Sequence, residues 1–333
     1  MRTPKTLATS LLSLSAAALL ALSAAGAASA APAPGKAPTE TSAVSSHAVV
    51  ETGGAEYWTA ERMRNAIPGD VLAERAKQRS ANSKSALNRL ADAGAPSTVE
   101  AQAPRQQAKE LQTKGNASES PVKHIGKVFF TLGGANYVCS GNSVSSTNKS
   151  TVSTAGHCLN EGPGAFATKF TFVPAYLNGS APYGMWTANA LYAPTQWSSG
   201  GDMTYDTGFA VMNTLNGKKL SDVVGASGLK FNAARGLSYK AFGYPAAPPF
   251  TGESLKSCSG TATNDPYNPD FKTQGIPCNM TGGSSGGPWF IGSSATGYQN
   301  SVNSYGYGSN STTMYGPYWG SVIQQTYTSA AAS

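Results

Sequence analysis

The sequence predicts an all-β domain over residues 121–333, preceded by an export signal and a partly helical pro-region, and three observations carry that expectation. From Pro121 onward, short runs rich in β-branched and aromatic residues alternate with Gly, Asn, Ser and Pro. Charged residues make up only 12% of the 333, beside 37 Gly, 20 Pro and 15 Tyr, which excludes a coiled coil, a helical bundle or a charge-rich disordered chain. All four cysteines, Cys139, Cys158, Cys258 and Cys278, fall in this last segment.

The elements follow in chain order. Residues 1–30 read as a signal peptide: Arg2 and Lys5 open it, an apolar stretch runs from Leu7 to Ala28, and Ala28-Ser29-Ala30 offers the small residues that a signal peptidase accepts. Export implies an oxidising compartment, so the cysteines are expected as disulfides in a secreted, extracellular protein with no membrane span in its mature form. Residues 31–120 read as a pro-region and linker. Ala31-Pro32-Ala33-Pro34 cannot hold a helix, Thr59 is a plausible N-cap, Pro68-Gly69-Asp70 breaks the run, and Leu87, Leu90 and Ala91 recur at helical spacing. Ala101 to Ser120 is polar and aperiodic, as an exposed, cleavable linker would be. Beyond it, strands are expected at Lys127–Leu132, Asn136–Ser140, Thr151–Thr154, Gly208–Met212 and Leu237–Gly243. The net charge of +7 is spread over these unlike segments, and the last contains no basic run interleaved with aromatics, so a nucleic-acid role finds no support.

The densest chemical signal is Thr281-Gly282-Gly283-Ser284-Ser285-Gly286-Gly287-Pro288. A serine on a glycine-rich turn presents its hydroxyl with little steric cover and leaves neighbouring N–H groups free to face a developing oxyanion. A serine needs a base, and histidine is scarce. His47 lies in the pro-region and His124 at its border, which leaves His157, in Thr154-Ala155-Gly156-His157-Cys158, directly after an expected strand. Chain order then selects among triads. No histidine follows Ser285, so the Ser, acid, His order of α/β-hydrolases fails. No aspartate lies between residues 121 and 156, so the Asp, His, Ser order fails too. His, Asp, Ser remains. Asp206 is the preferred third member, ahead of Asp202, because it leads into the apolar run Phe209-Ala210-Val211-Met212.

Thr154-Ala155-Gly156-His157-Cys158, Tyr205-Asp206-Thr207-Gly208-Phe209-Ala210 and Gly283-Ser284-Ser285-Gly286-Gly287-Pro288 together resemble the three catalytic motifs of chymotrypsin-like serine proteases. The resemblance covers about residues 121 to 326 and leans towards the secreted bacterial branch that includes glutamyl endopeptidases, in which Gly243-Tyr244-Pro245 also has a counterpart. It implies two six-stranded antiparallel β-barrels with His157, Asp206 and Ser285 in the cleft between them, an oxyanion hole from the N–H groups of Gly283 and Ser285, and bridges Cys139–Cys158 and Cys258–Cys278. A competing use of cysteine in a zinc site lacks any C-x-x-C spacing, and neither a metal nor another cofactor is expected. The implied enzyme is a secreted serine endopeptidase, made as a zymogen, expected as a monomer acting on protein or peptide substrates. Its rate should fall below about pH 6 to 7 as the base is protonated.

Departures from the family limit what carries over. Ser284 stands where animal relatives carry an aspartate that pairs with a new N-terminal ammonium, so that salt bridge cannot form and release must act differently; the mature N-terminus is expected between Lys114 and Lys127. Gly156 replaces the commoner alanine, a change expected to be harmless. The primary pocket is expected to use Asn279 and Thr281 with Ser304 and Gly306. Asn279 is neutral, which disfavours Lys and Arg substrates. The expected pocket strand Ser304-Tyr305-Gly306 has no histidine, which removes the main argument for Glu. The alternative reading is an inactive homologue acting as a secreted binding module. A carbohydrate-binding domain, suggested by the aromatics between Tyr298 and Trp319, is the weaker rival, because alternating tyrosines such as Tyr305 and Tyr307 suit a strand equally well.

Overall fold

A computed structural model describes residues 42–50, 53–82, 94–105, 119–308 and 310–333. The expected signal peptide, Leu87, Leu90, Ala91 and residues 106–118 of the linker lie outside the described residues. Among those described, no helix is long and apolar enough to cross a membrane.

Strands dominate. In the amino-terminal third they are β1 (Val44–Ala48), β2 (Ile67–Pro68) and β3 (Ser97–Val99). The next six, β4 (Ile125–Leu132), β5 (Ala135–Val144), β6 (Thr151–Thr154), β7 (Thr168–Pro174), β8 (Trp186–Pro194) and β9 (Gly208–Met212), form a closed antiparallel barrel. Its ladder runs β7-β4-β5-β6-β9, and β8 closes it by pairing with both β7 and β9. Five sequence-expected strands are present, two with the expected bounds. The core explains the near-continuous apolar run of β4. Val128, Phe130 and Leu132 point into the barrel, while Ile125 and Phe129, on the alternate face, pack with Phe242, Tyr244 and Phe290 of the second half.

The second half departs from the expected closed barrel. Its strands are β10 (Leu229–Phe231), β11 (Ser238–Gly243), β12 (Lys256–Thr261), β13 (Thr263–Asn264), β14 (Gln274–Pro277), β15 (Pro288–Ile291), β16 (Gln299–Val302) and β17 (Thr313–Gly316). They form two sheets, β12-β11-β15-β16-β10-β3 and β13-β14-β17, and the β10–β16 pair is parallel. Where a ladder would close the barrel, the Cys258–Cys278 disulfide joins β12 to the segment after β14.

Helices are few: α1 (Gly54–Tyr57), α2 (Ala60–Arg64), α3 (Asp70–Asn82), α4 (Thr195–Ser198), α5 (Leu220–Val224) and α6 (Ser321–Ala332). Thr59 caps α2 as expected, its hydroxyl accepting from the Arg62 N–H at 3.2 Å. The carboxy-terminal α6 was not anticipated, although Val322, Thr326 and Ala330, with Ile323, Tyr327 and Ala331, repeat at i, i+4 and form its buried face.

The described residues between 42 and 105 do not form a separate helical unit. Its β1 lies antiparallel along β8, its β2 pairs in parallel with β5 from Ile67 opposite Tyr137, and its β3 pairs with β10. Leu72, Ala73 and Ala76, on one face of α3, join the same apolar cluster as Cys139, Cys158 and Tyr305.

Candidate active site

His157 sits in a single 3-10 turn, Gly156–Cys158, immediately after β6, and is fully buried. Asp206 follows a second such turn, Met203–Tyr205, which leads into β9. Because β6 and β9 are barrel neighbours, Thr154 opposite Gly208, the two turns emerge side by side at one rim. The Asp206 carboxylate then takes both ends of His157: Oδ1 accepts the backbone N–H at 2.8 Å and Oδ2 pairs with Nδ1 at 2.8 Å. Ser304 Oγ donates to the same Oδ2. A carboxylate at Nδ1 fixes the tautomer in which Nε2 is an acceptor. That Nε2 is buried and has no hydrogen-bond partner.

Asp202, the rejected candidate, caps its own turn by accepting from the Thr204 N–H at 2.9 Å. The other histidines are engaged elsewhere: His47 stacks on Phe166 with ring centroids 5.4 Å apart, and His124 Nδ1 lies 2.8 Å from Asn142 Oδ1. Burial holds the His124 imidazole below the usual range.

The serine turn is held by a residue that sequence reading did not single out. Ser140, on β5, donates its N–H to the Ser285 carbonyl at 2.7 Å and its hydroxyl to the Gly283 carbonyl at 2.9 Å, while that hydroxyl accepts from the Tyr244 N–H at 2.9 Å. These bonds leave the N–H groups of Gly283 and Ser285 with no acceptor among the described residues. Gly283 has φ +93°, a conformation in which a side chain is strained. Asn303 supplies the second brace, its amide donating to the carbonyls of Phe242 and Ser284 and its oxygen accepting from the Trp289 indole. Ser284 is satisfied locally, its hydroxyl donating to the Thr281 carbonyl at 2.7 Å.

Beside Ser285 opens a cavity of about 480 Å³, with Met280 to Gly282 on one side and Ser304 to Gly306 on the other. Asn279 does not line it. The Cys258–Cys278 bridge holds Cys278 inward, side chains of the extended chain alternate, and so Asn279 faces solvent while Met280 turns in. Thr281 does line the cavity, but its hydroxyl proton goes to the Ala247 carbonyl at 2.6 Å. Gly306 lines it as expected, and Ser304 is also present with its hydroxyl committed to Asp206. Gly156 has a stricter reason than expected: a Cβ there would lie 2.9 Å from the Trp197 ring and 3.0 Å from Asp206 Oδ1. Trp197 thus fills the space that an alanine would need.

Helix α3 also reaches this cavity, through Asp70, Ala73 and Glu74. Asp70 packs against Gly282, and its Oδ1 is buried without a hydrogen-bond partner. Burial pushes its carboxyl above the usual range, with Glu74 adding to that and His157 opposing it.

The arrangement has close counterparts among solved proteins. The protease Anisep from Arthrobacter nicotinovorans is 83% identical, with 65% of this chain and 99% of that one covered and a TM-score of 0.65. AL20, a thermostable serine protease from an extremophilic microorganism, is 52% identical, with 64% and 98% covered and a TM-score of 0.62. The chain belongs to the bacterial chymotrypsin-like serine proteases. A Glu endopeptidase shares the fold of this protease at 22% identity and a TM-score of 0.51, with 64% and 93% covered. No protein-family model matches the chain.

An extracellular metalloprotease of Bacillus subtilis (strain 168) is 28% identical over 185 residues, 53% of this protease and 55% of that protein, so the chain spans about half the length of the curated relative it matches. A metal does not fit here. The one group of His, Cys, Asp and Glu atoms close enough to share an ion, among the described residues, is Cys139, His157 and Cys158. Its two sulfurs are joined at 2.04 Å, and His157 Nδ1 is taken by Asp206.

Proposed function

We propose that the chain is the precursor of an exported serine endopeptidase: a signal peptide over 1–30, a pro-region and linker over 31–120, and a catalytic domain over 121–333. Ser285 Oγ attacks the peptide carbonyl and His157 Nε2 takes its proton. The N–H groups of Gly283 and Ser285 bind the oxyanion, and the imidazolium, held by Asp206, returns the proton to the leaving amine. Water then repeats the sequence on the acyl-enzyme. The observation that carries this reading is the grip of Asp206 on both the N–H and Nδ1 of a fully buried His157, whose Nε2 has no partner, while Thr154 and Ala155 just before it pack against Gly286 of the serine turn. Buried polar atoms without partners are rare, and a base awaiting a proton accounts for this one.

The zymogen part rests on α3. It lies against the turn that carries His157, and its Asp70, Ala73 and Glu74 occupy one side of the cavity beside Ser285. On this reading a substrate chain has to displace the helix to line the same wall. The protein acts on peptide or protein substrates outside the cell on this reading, and as a monomer.

Secreted, processed protein should form a fluorophosphonate adduct, and Ser285→Ala should lose the adduct and lower peptide hydrolysis by at least about 10³-fold. Processed wild type that takes up no label would favour the inactive binding module instead.

A further inference from the structure

Lys77 is largely buried on the cleft side of α3, and its ammonium occupies a site that belongs to the catalytic domain. Nζ donates to the Gly306 carbonyl at 3.0 Å and sits 5.1 Å from the centroid of the Tyr305 ring and 5.0 Å from that of Tyr307. The two rings are nearly perpendicular, with centroids 5.7 Å apart, and make a corner over which one cation meets both. Beneath them lies Asp265, 2% exposed, whose Oδ2 accepts both phenol protons, at 2.6 Å from Tyr305 and 2.7 Å from Tyr307. Its Oδ1 accepts from the N–H groups of Tyr267 and Asn268 at 2.9 and 3.2 Å. A phenol donating to a carboxylate gains electron density in its ring, so a fixed anion strengthens the corner as a cation seat. Within α3, Lys77 also pairs with Glu74 at 2.6 Å. When α3 leaves, Lys77 and Glu74 leave together, and the corner with its carbonyl stays behind.

We propose that the released enzyme uses this corner, Tyr305, Tyr307 and the Gly306 carbonyl, as a subsite for a substrate lysine or arginine side chain about three residues to the acyl side of the scissile bond. The proposal rests on the peptidase reading above. The spacing comes from α3 itself. Asp70 marks the region of Ser285, and Lys77 lies seven residues further, about 10 Å along a helix, which an extended chain spans in about three residues. The side follows from the chemistry. The leaving amine is protonated by His157 Nε2, whereas Ser304, bonded to the Asp206 oxygen that pairs with Nδ1, starts the Ser304–Gly306 wall at the opposite end of the imidazole. The primary cavity, lined by Met280 and Met314, supplies no charge of its own in the catalytic domain, so basic selectivity would reside wholly in the outer corner.

The test uses enzyme released from the secreted full chain and a peptide library scanned on both sides of the cleaved bond. Lys and Arg should exceed Met at one position, about the third on the acyl side, by about tenfold in kcat/KM. In Tyr307→Leu the Lys-to-Met ratio, read within one enzyme and so independent of its folded fraction, should fall to near one. A ratio near one in wild type, or one that Tyr307→Leu leaves intact, overturns the subsite while hydrolysis of neutral peptides upholds the peptidase. No hydrolysis of any peptide, with no fluorophosphonate adduct, overturns both.

Discussion

Asp206 is a carboxylate with no exposed surface, a placement that costs several kcal/mol unless hydrogen bonds replace water. Two bonds come from His157 and the third from Ser304, whose hydroxyl sequence reasoning had placed at the substrate. On the proposed mechanism Ser304 is a positioning residue. A hydrogen bond to a buried charge is worth about 1.5 to 3 kcal/mol, so Ser304→Ala should lower kcat by roughly 10- to 100-fold while KM changes little, and Ser304→Thr should restore most of the rate. A KM effect as large as the kcat effect in steady-state kinetics would return Ser304 to a substrate-binding role. The pairing of His157 with Asp206 was legible because histidine is scarce and chain order left one arrangement. Ser140 and Asn303 were not, since nothing in a sequence marks a polar residue whose partners are backbone groups more than a hundred residues away, or across a sheet.

At the scale of elements, β4 and β9 could be read from the apolar runs Val128-Phe129-Phe130 and Phe209-Ala210-Val211-Met212 that burial of both faces favours, and β6, Thr-Val-Ser-Thr, from its β-branched residues. Strand β1, Val-Ser-Ser-His-Ala, could not, because it borrows its structure from the ladder with β8. Helix α3 starts at the predicted break, yet its role in the cleft is a tertiary fact. Its docking should depend on pH. The Asp70 carboxyl, which faces His157 and Glu74, is held above the ordinary 3.8, so the docked state binds the proton more tightly than the free segment. Docking is therefore unpenalised in strong acid, and it weakens as pH rises through the raised value. In the unprocessed chain, Asp70→Asn should resist limited proteolysis of α3 better than wild type near neutral pH, and the advantage should vanish near pH 3. An advantage that is flat across pH would mean that the carboxyl's ionisation plays no part.

Over the whole molecule, the two disulfides do different jobs with loops of similar length, 19 and 20 residues apart. Cys139–Cys158 ties β5 to the turn that carries His157, and Cys258–Cys278 spans the open seam of the second half. Each is worth on the order of 3 kcal/mol in the chain-entropy model. Replacing Cys258 and Cys278 with alanine should lower Tm of the released enzyme by roughly 6 to 12 °C in scanning calorimetry, with the neutral-peptide kcat reduced less than by the Cys139, Cys158 pair of replacements. Equal losses of kcat would mean that the second half transmits strain to the triad. One local feature also frees the whole chain's ends. Since Ser284 is already satisfied by Thr281 and Asn303, no ammonium has to be threaded into the interior to complete the serine turn. If the chain is made as the proposed zymogen, trimming by different proteases would then yield a population of ragged-ended molecules of equal competence, and a tag fused ahead of the proposed catalytic domain would be no obstacle to its manufacture.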